Sequence, residues 1–168
     1  MADAVDRITE QWRDQRPDLA EALGVMELFG RVQRMQRVVD RHYKKLADEY
    51  GVNMGECDIL FTLRRSGPPY TLTAGAFLRA SMVTSGAITN RIDRMEAKGL
   101  VERLRDGEDR RTVKIRLTPR GKDLADETIV AHLRDYEEIL SVLTPTERGQ
   151  MTESLRKVLE ARGDTALD

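Results

Sequence analysis

The segment from Ser81 to Gly121 constrains this chain more than any other, because its hydrophobic period changes from helix to strand within one short stretch. It opens SMVTSGAITNRIDRMEAKGLVERL, small residues running into an amphipathic helix and then a short strand. Ile88, Ile92 and Met95 recur at helical spacing and so share one face. It continues RDGEDRRTVKIRLTPRG, where Val113, Ile115 and Leu117 alternate with Lys114 and Arg116, the period of a strand with one packed and one cationic face. Asp106, Gly107, Glu108 and Asp109 make the turn between the strands. Thr118-Pro119 then opens another helix, an N-cap with proline at the first helical position. Helix followed by ribbon is the arrangement these periods allow.

The chemistry along that segment suits a DNA duplex. Thr84 or Ser85 caps the helix, and Ser85, Gly86 and Ala87 keep its first turn slim enough to approach base edges. Thr89 and Asn90 both donate and accept, so they are the candidates for base contacts, and Arg94 one turn on reaches a phosphate. Arg110 and Arg111 at the ribbon tip suit a narrow minor groove, with Asp109 orienting Arg111 and Lys114 on the cationic face. Charge agrees: residues 71–122 carry 12 Lys/Arg against 6 Asp/Glu, a balance of +6, while the remainder carries 16 against 23, or −7. A basic middle in an acidic frame is the footprint of a polyanion-binding face.

The flanks read as helices. Residues 3–14 predict a short helix with Val5, Ile8 and Trp12 on one face, ended at Arg16-Pro17. A long helix is predicted from Asp18 to Tyr50, with a seam of Val25, Leu28, Val32, Met35, Val39, His42 and Leu46, closed by Gly51. Asn53 and Glu56 form a capping box for the next helix. A strand is expected at Tyr70-Thr71-Leu72, and Thr73 caps a small helix through Ala80. Beyond the ribbon, one helix carries Ile129, Leu133, Tyr136, Leu140 and Leu143, and another carries Met151, Leu155 and Leu159. With aromatics at 5%, such stripes exceed what a small domain can cover, which predicts a symmetric homodimer. The expected fold is mainly α with a small β-wing: a winged helix-turn-helix with N- and C-terminal dimerisation helices. Its parts are residues 1–50 (dimerisation and ligand-pocket wall), 51–121 (DNA binding) and 122–168 (dimerisation).

An enzyme is not expected. Two histidines and one cysteine make no metal cluster of usual spacing, and no GxSxG, GxxxxGK[ST] or HExxH is present. No cofactor, no metal and no membrane span are expected. The lone Cys57 fits a reducing cytoplasm.

The motifs SGAITNRIDRMEAKGLVER and DRRTVKIRLTPRG together resemble the MarR (multiple antibiotic resistance regulator) family of winged helix-turn-helix proteins. The resemblance implies an obligate homodimer that binds a pseudo-palindromic operator, usually represses, and is released by small ligands. It also implies that Arg111 contacts the minor groove. The segment RITEQWRDQRPDL further resembles the urate-responsive subgroup, whose tryptophan, aspartate and two arginines match Trp12, Asp58, Arg91 and Arg103. By that likeness Trp12, Asp58 and Arg103 bind an anionic effector, urate or a related aromatic or carboxylate anion, and an Asp58–Arg91 ion pair couples the pocket to the recognition helix. An anion beside Asp58 would strain that pair; couplings of ~1–3 kcal/mol change affinity about 5–150-fold. The alternatives are a thiol-oxidation-responsive regulator through Cys57, a ligand-independent regulator of the same fold, and a helical dimeric scaffold. Salt-sensitive binding to duplex DNA separates the regulators from the scaffold.

Overall fold

Five helices of the chain begin where a capping side chain, of Asp3, Asn53, Thr73, Thr118 or Thr144, satisfies the first free N–H groups. The computed structural model describes residues 2–80, 88–105 and 113–165, and divides into two compact units, Met1–Lys44 and Lys45–Asp168. Thr84, Ser85, Arg110, Arg111 and the turn at Asp106–Asp109 lie outside the described residues.

In the first unit, α1 (Ala4–Gln15) starts at Asp3, whose carboxylate accepts from the Val5 and Asp6 backbone while Asp6 returns the bond, a complete capping box. Val5 is buried and packs on Gly30, where an added Cβ would meet its methyl group at 3.0 Å. Arg31 reaches Asp3 (3.0 Å) and Asp6, and Arg13 reaches Glu27 (2.8 Å), so charge pairs fasten α1 along its neighbour. The long helix does not start at Asp18. Residues Pro17–Ala22 form a 3-10 helix, and α2 runs Leu23–Tyr50. Pro17 sets the entry angle and Arg16 forks onto Asp18 at 2.8 and 2.7 Å, which favours the tighter turn often found where a chain enters an α-helix. The first half of the expected seam is uncovered: Val25, Leu28 and Val32 are exposed, as is Phe29.

The second unit holds the deep core. Gly51, at φ +69, ends α2, and the reciprocal Asn53–Glu56 bonds open α3 (Met54–Arg65) as expected. Its Cys57, Ile59, Leu60 and Leu63 are fully buried with Phe77, Met95, Leu100 and Ile115. After β1 (Thr71–Thr73), the Thr73 hydroxyl accepts from Ala76 N–H at 3.1 Å and starts α4 (Ala74–Ala80). Then come α5 (Ile88–Ala97), β2 (Val101–Arg105) and β3 (Val113–Leu117). The expected ribbon becomes part of a three-stranded antiparallel sheet in the order β1-β3-β2, with Val101 opposite Leu117 and Leu72 opposite Ile115.

Thr118 caps α6 (Pro119–Ile139), accepting from Gly121 N–H at 3.0 Å. The face α6 buries is not the expected apolar stripe. It is Gly121, Ala125, Thr128, Ala131, His132 and Asp135, while Leu133 is exposed. Large residues of α3 fill the space between the two packed helices, so the facing positions of α6 must be small or hydrogen-bonded. Thr128 meets that condition by donating to Leu124 O at 2.6 Å, while His132 packs its ring against Phe61 and Tyr136. Arg64 of α3 ties to Asp126 (2.6 Å), which Lys122 also reaches (2.8 Å); Arg64, then Lys122, hold that carboxyl below its usual pKa. The last helix, α7 (Pro145–Ala161), starts at the expected Thr144–Glu147 capping box and buries none of its residues.

Candidate nucleic-acid interface

Successive residues of an α-helix are ~100° apart, so α5 sorts into four strips. Ile88, Ile92 and Met95 point into the core. Thr89 and Asn90, the expected base-contacting residues, are exposed, and so is Arg94. Arg91, Arg94 and Lys98 line the flank toward α3, while Asp93 and Glu96 line the opposite flank. Both flanks are clamped.

On the α3 side, Lys98 Nζ donates to both oxygens of Glu56 and to Gly51 O, each at 2.9 Å. Glu56 is 1% exposed, and Arg94 Nε stands 3.9 Å from it. The same carboxylate caps Asn53 N–H at 3.1 Å, so one buried group fixes the start of α3 and the end of α5. The sequence marked Glu56 only as a cap; Lys98, beyond the end of its helix, carried no signal of its own.

On the other side, Arg103 of β2 pairs with Asp93 and Glu96. Burial opposes its charge, yet the bonds to Asp93 and Glu96 hold its pKa above the ordinary value. The guanidinium expected to meet an effector is therefore committed to the recognition helix. Arg103 and Arg91 occupy opposite flanks of α5. The i, i+3 spacing of Asp93 and Glu96, with an arginine in the following strand, was the available clue to this clamp.

Arg91 lies flat against the first turn of α3. Its Nε and Cζ stand 2.6 and 2.7 Å from where a Cβ on Gly55 would be, so a side chain there would have to displace the guanidinium. Its Nη1 is buried without a hydrogen-bond partner. Asp58, half-buried, is one turn further along α3; the bond from Arg91 expected to join them is not among those the described residues make. Trp12 stands on α1 in the first unit, 41% exposed. Lys114 of β3 is half-buried, in register with Leu104 and Thr73. Arg116 on the same strand pairs with Glu102 across to β2 at 2.9 Å.

Cys57 has no access to solvent, and its Sγ faces Val52 O at 3.8 Å. Burial, then Glu56 and Asp58, push the thiol up to about 12 from 9.0. A folded chain that keeps the thiol neutral loses relative stability as pH climbs from 9.0 toward about 12, where only the unfolded chain ionises. At about pH 8 an aromatic disulfide reagent is expected to leave native Cys57 unmodified and to label it promptly in urea. Prompt labelling of the native chain would restore the thiol as a trigger.

Three helices ending in an exposed, doubly clamped helix, followed by a strand pair, define a winged helix-turn-helix DNA-binding protein. A model of the MarR family matches residues 50–112. The transcriptional regulator PecS of Dickeya dadantii is 34% identical over 92% of both chains. Among solved structures, an organohalide-sensing transcriptional regulator in its 2,4-dichlorophenol-bound form gives a TM-score of 0.73 at 18% identity, covering 80% of this chain and 78% of that one. A mutant MarR from E. coli complexed with operator DNA gives 0.68 at 23%, covering 88% and 97%. The chain belongs to the MarR family, and is a transcriptional regulator rather than an enzyme. No helix among the described residues is long and apolar enough to cross a membrane.

Proposed function

We propose that the protein is a cytoplasmic homodimeric repressor whose reading unit binds a pseudo-palindromic operator and is released by a small anionic effector, urate or a related aromatic or carboxylate anion. The observation that carries the effector is the buried, unsatisfied Nη1 of Arg91, between the recognition helix and α3. A buried guanidinium N–H without an acceptor is costly, and an anion that meets it pulls directly on α5. Asp58 contributes like-charge repulsion at that point, while Arg103, on the opposite flank of α5, becomes available to an anion only once Asp93 and Glu96 release it. Fold relatives are consistent with both halves of the reading: one is bound to operator DNA and another to a chlorophenol.

Thr84, Ser85, Thr89 and Asn90 read bases in this proposal. Arg94, Arg110 and Lys114 hold phosphates, and Arg111 enters the minor groove. Residues 51–121 read DNA, while 1–50 and 122–168 dimerise. The dimer is supported by uncovered apolar faces: Val25, Leu28, Phe29 and Val32 in the first unit, and Met151, Leu155, Val158 and Leu159 on α7.

The test is the affinity for the chain's own upstream DNA across a salt series, with and without urate, for wild type and Arg91→Gln. Binding should weaken by ~0.9 log unit per phosphate contact for each log unit of salt. Urate should weaken wild-type binding about 5–150-fold, and the variant much less. Salt-sensitive binding that urate leaves unchanged would remove urate as effector; salt-independent binding would remove the duplex.

A further inference from the structure

The first unit carries a second cluster of cations that neither the reading unit nor the effector proposal uses. Arg34, Arg37 and Arg41 stand on α2 at i, i+3 and i+7, on one side of the helix. With Ala4, Met35 and Val38 they line a groove of about 410 Å³, within the ~300–1,000 Å³ range of small-molecule sites. Asp3 and Arg31 also line it, Arg31 already paired with Asp3 and Asp6.

Arg34, Arg37 and Arg41 differ from Arg13, Arg16 and Arg31 of the same unit, each of which holds a carboxylate. No carboxylate among the described residues pairs with Arg34, Arg37 or Arg41. The acid nearest in sequence, Asp40, accepts instead from Gln36 Nε2 at 3.0 Å. Three like charges on one helix side repel one another, a cost that a bound anion would reverse. The surface is concave and has an apolar floor in Met35 and Val38, whereas a stripe that only grazes a DNA backbone needs neither feature. Guanidinium forks match the tetrahedral edge of a phosphate and bind it bidentately. Asp3 repels an anion from the Arg31 end, so the charge belongs between Arg37 and Arg41.

We infer that this groove binds a small organic phosphate, its anionic group held by Arg37 and Arg41 with Arg34, its apolar body lying on Met35 and Val38. The site is separate in residues from the proposed effector site.

Calorimetric titration of the full chain with phenyl phosphate, inorganic phosphate and urate tests it. Phenyl phosphate is expected to bind in the sub-millimolar range, and inorganic phosphate about ten-fold more weakly for want of the apolar contact. Arg37→Gln with Arg41→Gln should weaken phenyl phosphate by about ten-fold or more, without loss of helical circular dichroism. Val38→Glu, which keeps the arginines and places a like charge on the floor, should do the same. Absence of phenyl phosphate binding overturns the site, as does equal binding by wild type and both variants. A double variant that loses operator affinity with a shallower salt slope, and binds phenyl phosphate as wild type does, would assign these arginines to the DNA backbone instead.

Discussion

Replacing Gly121 with valine is expected to destabilise the second unit by about 3 kcal/mol, the upper part of the overpacking range. Gly121 sits in the first turn of α6, and a Cβ there would overlap the carbonyl of Leu100. The obstacle is backbone, so no rotamer change relieves it. That carbonyl also accepts from Thr118 N–H (3.1 Å) and lies 3.2 Å from the Thr118 hydroxyl. Moving it away disturbs the cap of α6 and the entry to β2 together. Urea unfolding should show a lower midpoint with an unchanged slope. A loss under about 1 kcal/mol would mean that α6 can slide off the strand freely, against the close approach described above.

Lys98→Met should cost about 2–3 kcal/mol and weaken operator binding as well. Removing one partner of a fully buried ion pair costs ~3–5 kcal/mol; the smaller figure applies because Lys98 is itself 40% exposed and water can follow the change. Methionine keeps the packing and deletes the charge, leaving the Glu56 carboxylate buried without its principal donor. The end of α5 then loses its tie to the start of α3, so Thr89 and Asn90 are presented less rigidly. Two measurements separate the effects: urea unfolding for stability, and operator affinity under conditions where the variant is fully folded. Glu56→Gln combined with Lys98→Met should recover part of the stability, because no buried charge remains. A combined variant no more stable than Lys98→Met alone would show that the charge pair is not the source of the cost.

Elements that depend on neighbours in sequence were legible. The boxes Asn53–Glu56 and Thr144–Glu147, the caps Thr73 and Thr118, and Gly51 each mark a helix boundary, because a cap is satisfied within three or four residues. The alternation at Val113–Leu117 gave β3, and the spacing of Ile88, Ile92 and Met95 gave the inward face of α5. Less legible was the start of α2, where the helical period continues through Pro17–Ala22 although the backbone is 3-10. The buried face of α6 was hidden for a different reason. Hydrophobic spacing identifies apolar residues, but α3 left room only for small or polar ones, so Leu133 of the expected stripe was left exposed and Ile129, Tyr136 and Leu140 only half-buried.

The candidate site divides the same way. Thr89, Asn90 and Arg94 stand exposed on α5, as their positions relative to the core residues required. Residue type alone could not say which arginines were available. Arg103 is taken up by Asp93 and Glu96, Arg91 lies on Gly55, and Arg34, Arg37 and Arg41 pair with no carboxylate among the described residues.

By itself, then, the sequence determined the helix boundaries, the strand of the wing and the family, because caps, periods and motifs are local and need no knowledge of what lies across the fold. Only the tertiary structure decided that β1 completes the sheet, that Lys98 and Arg103 clamp the recognition helix from two sides, and that Gly121 must lack a side chain. Those outcomes depend on which residues distant in sequence come within hydrogen-bond or van der Waals reach, and burial sets their energetic weight.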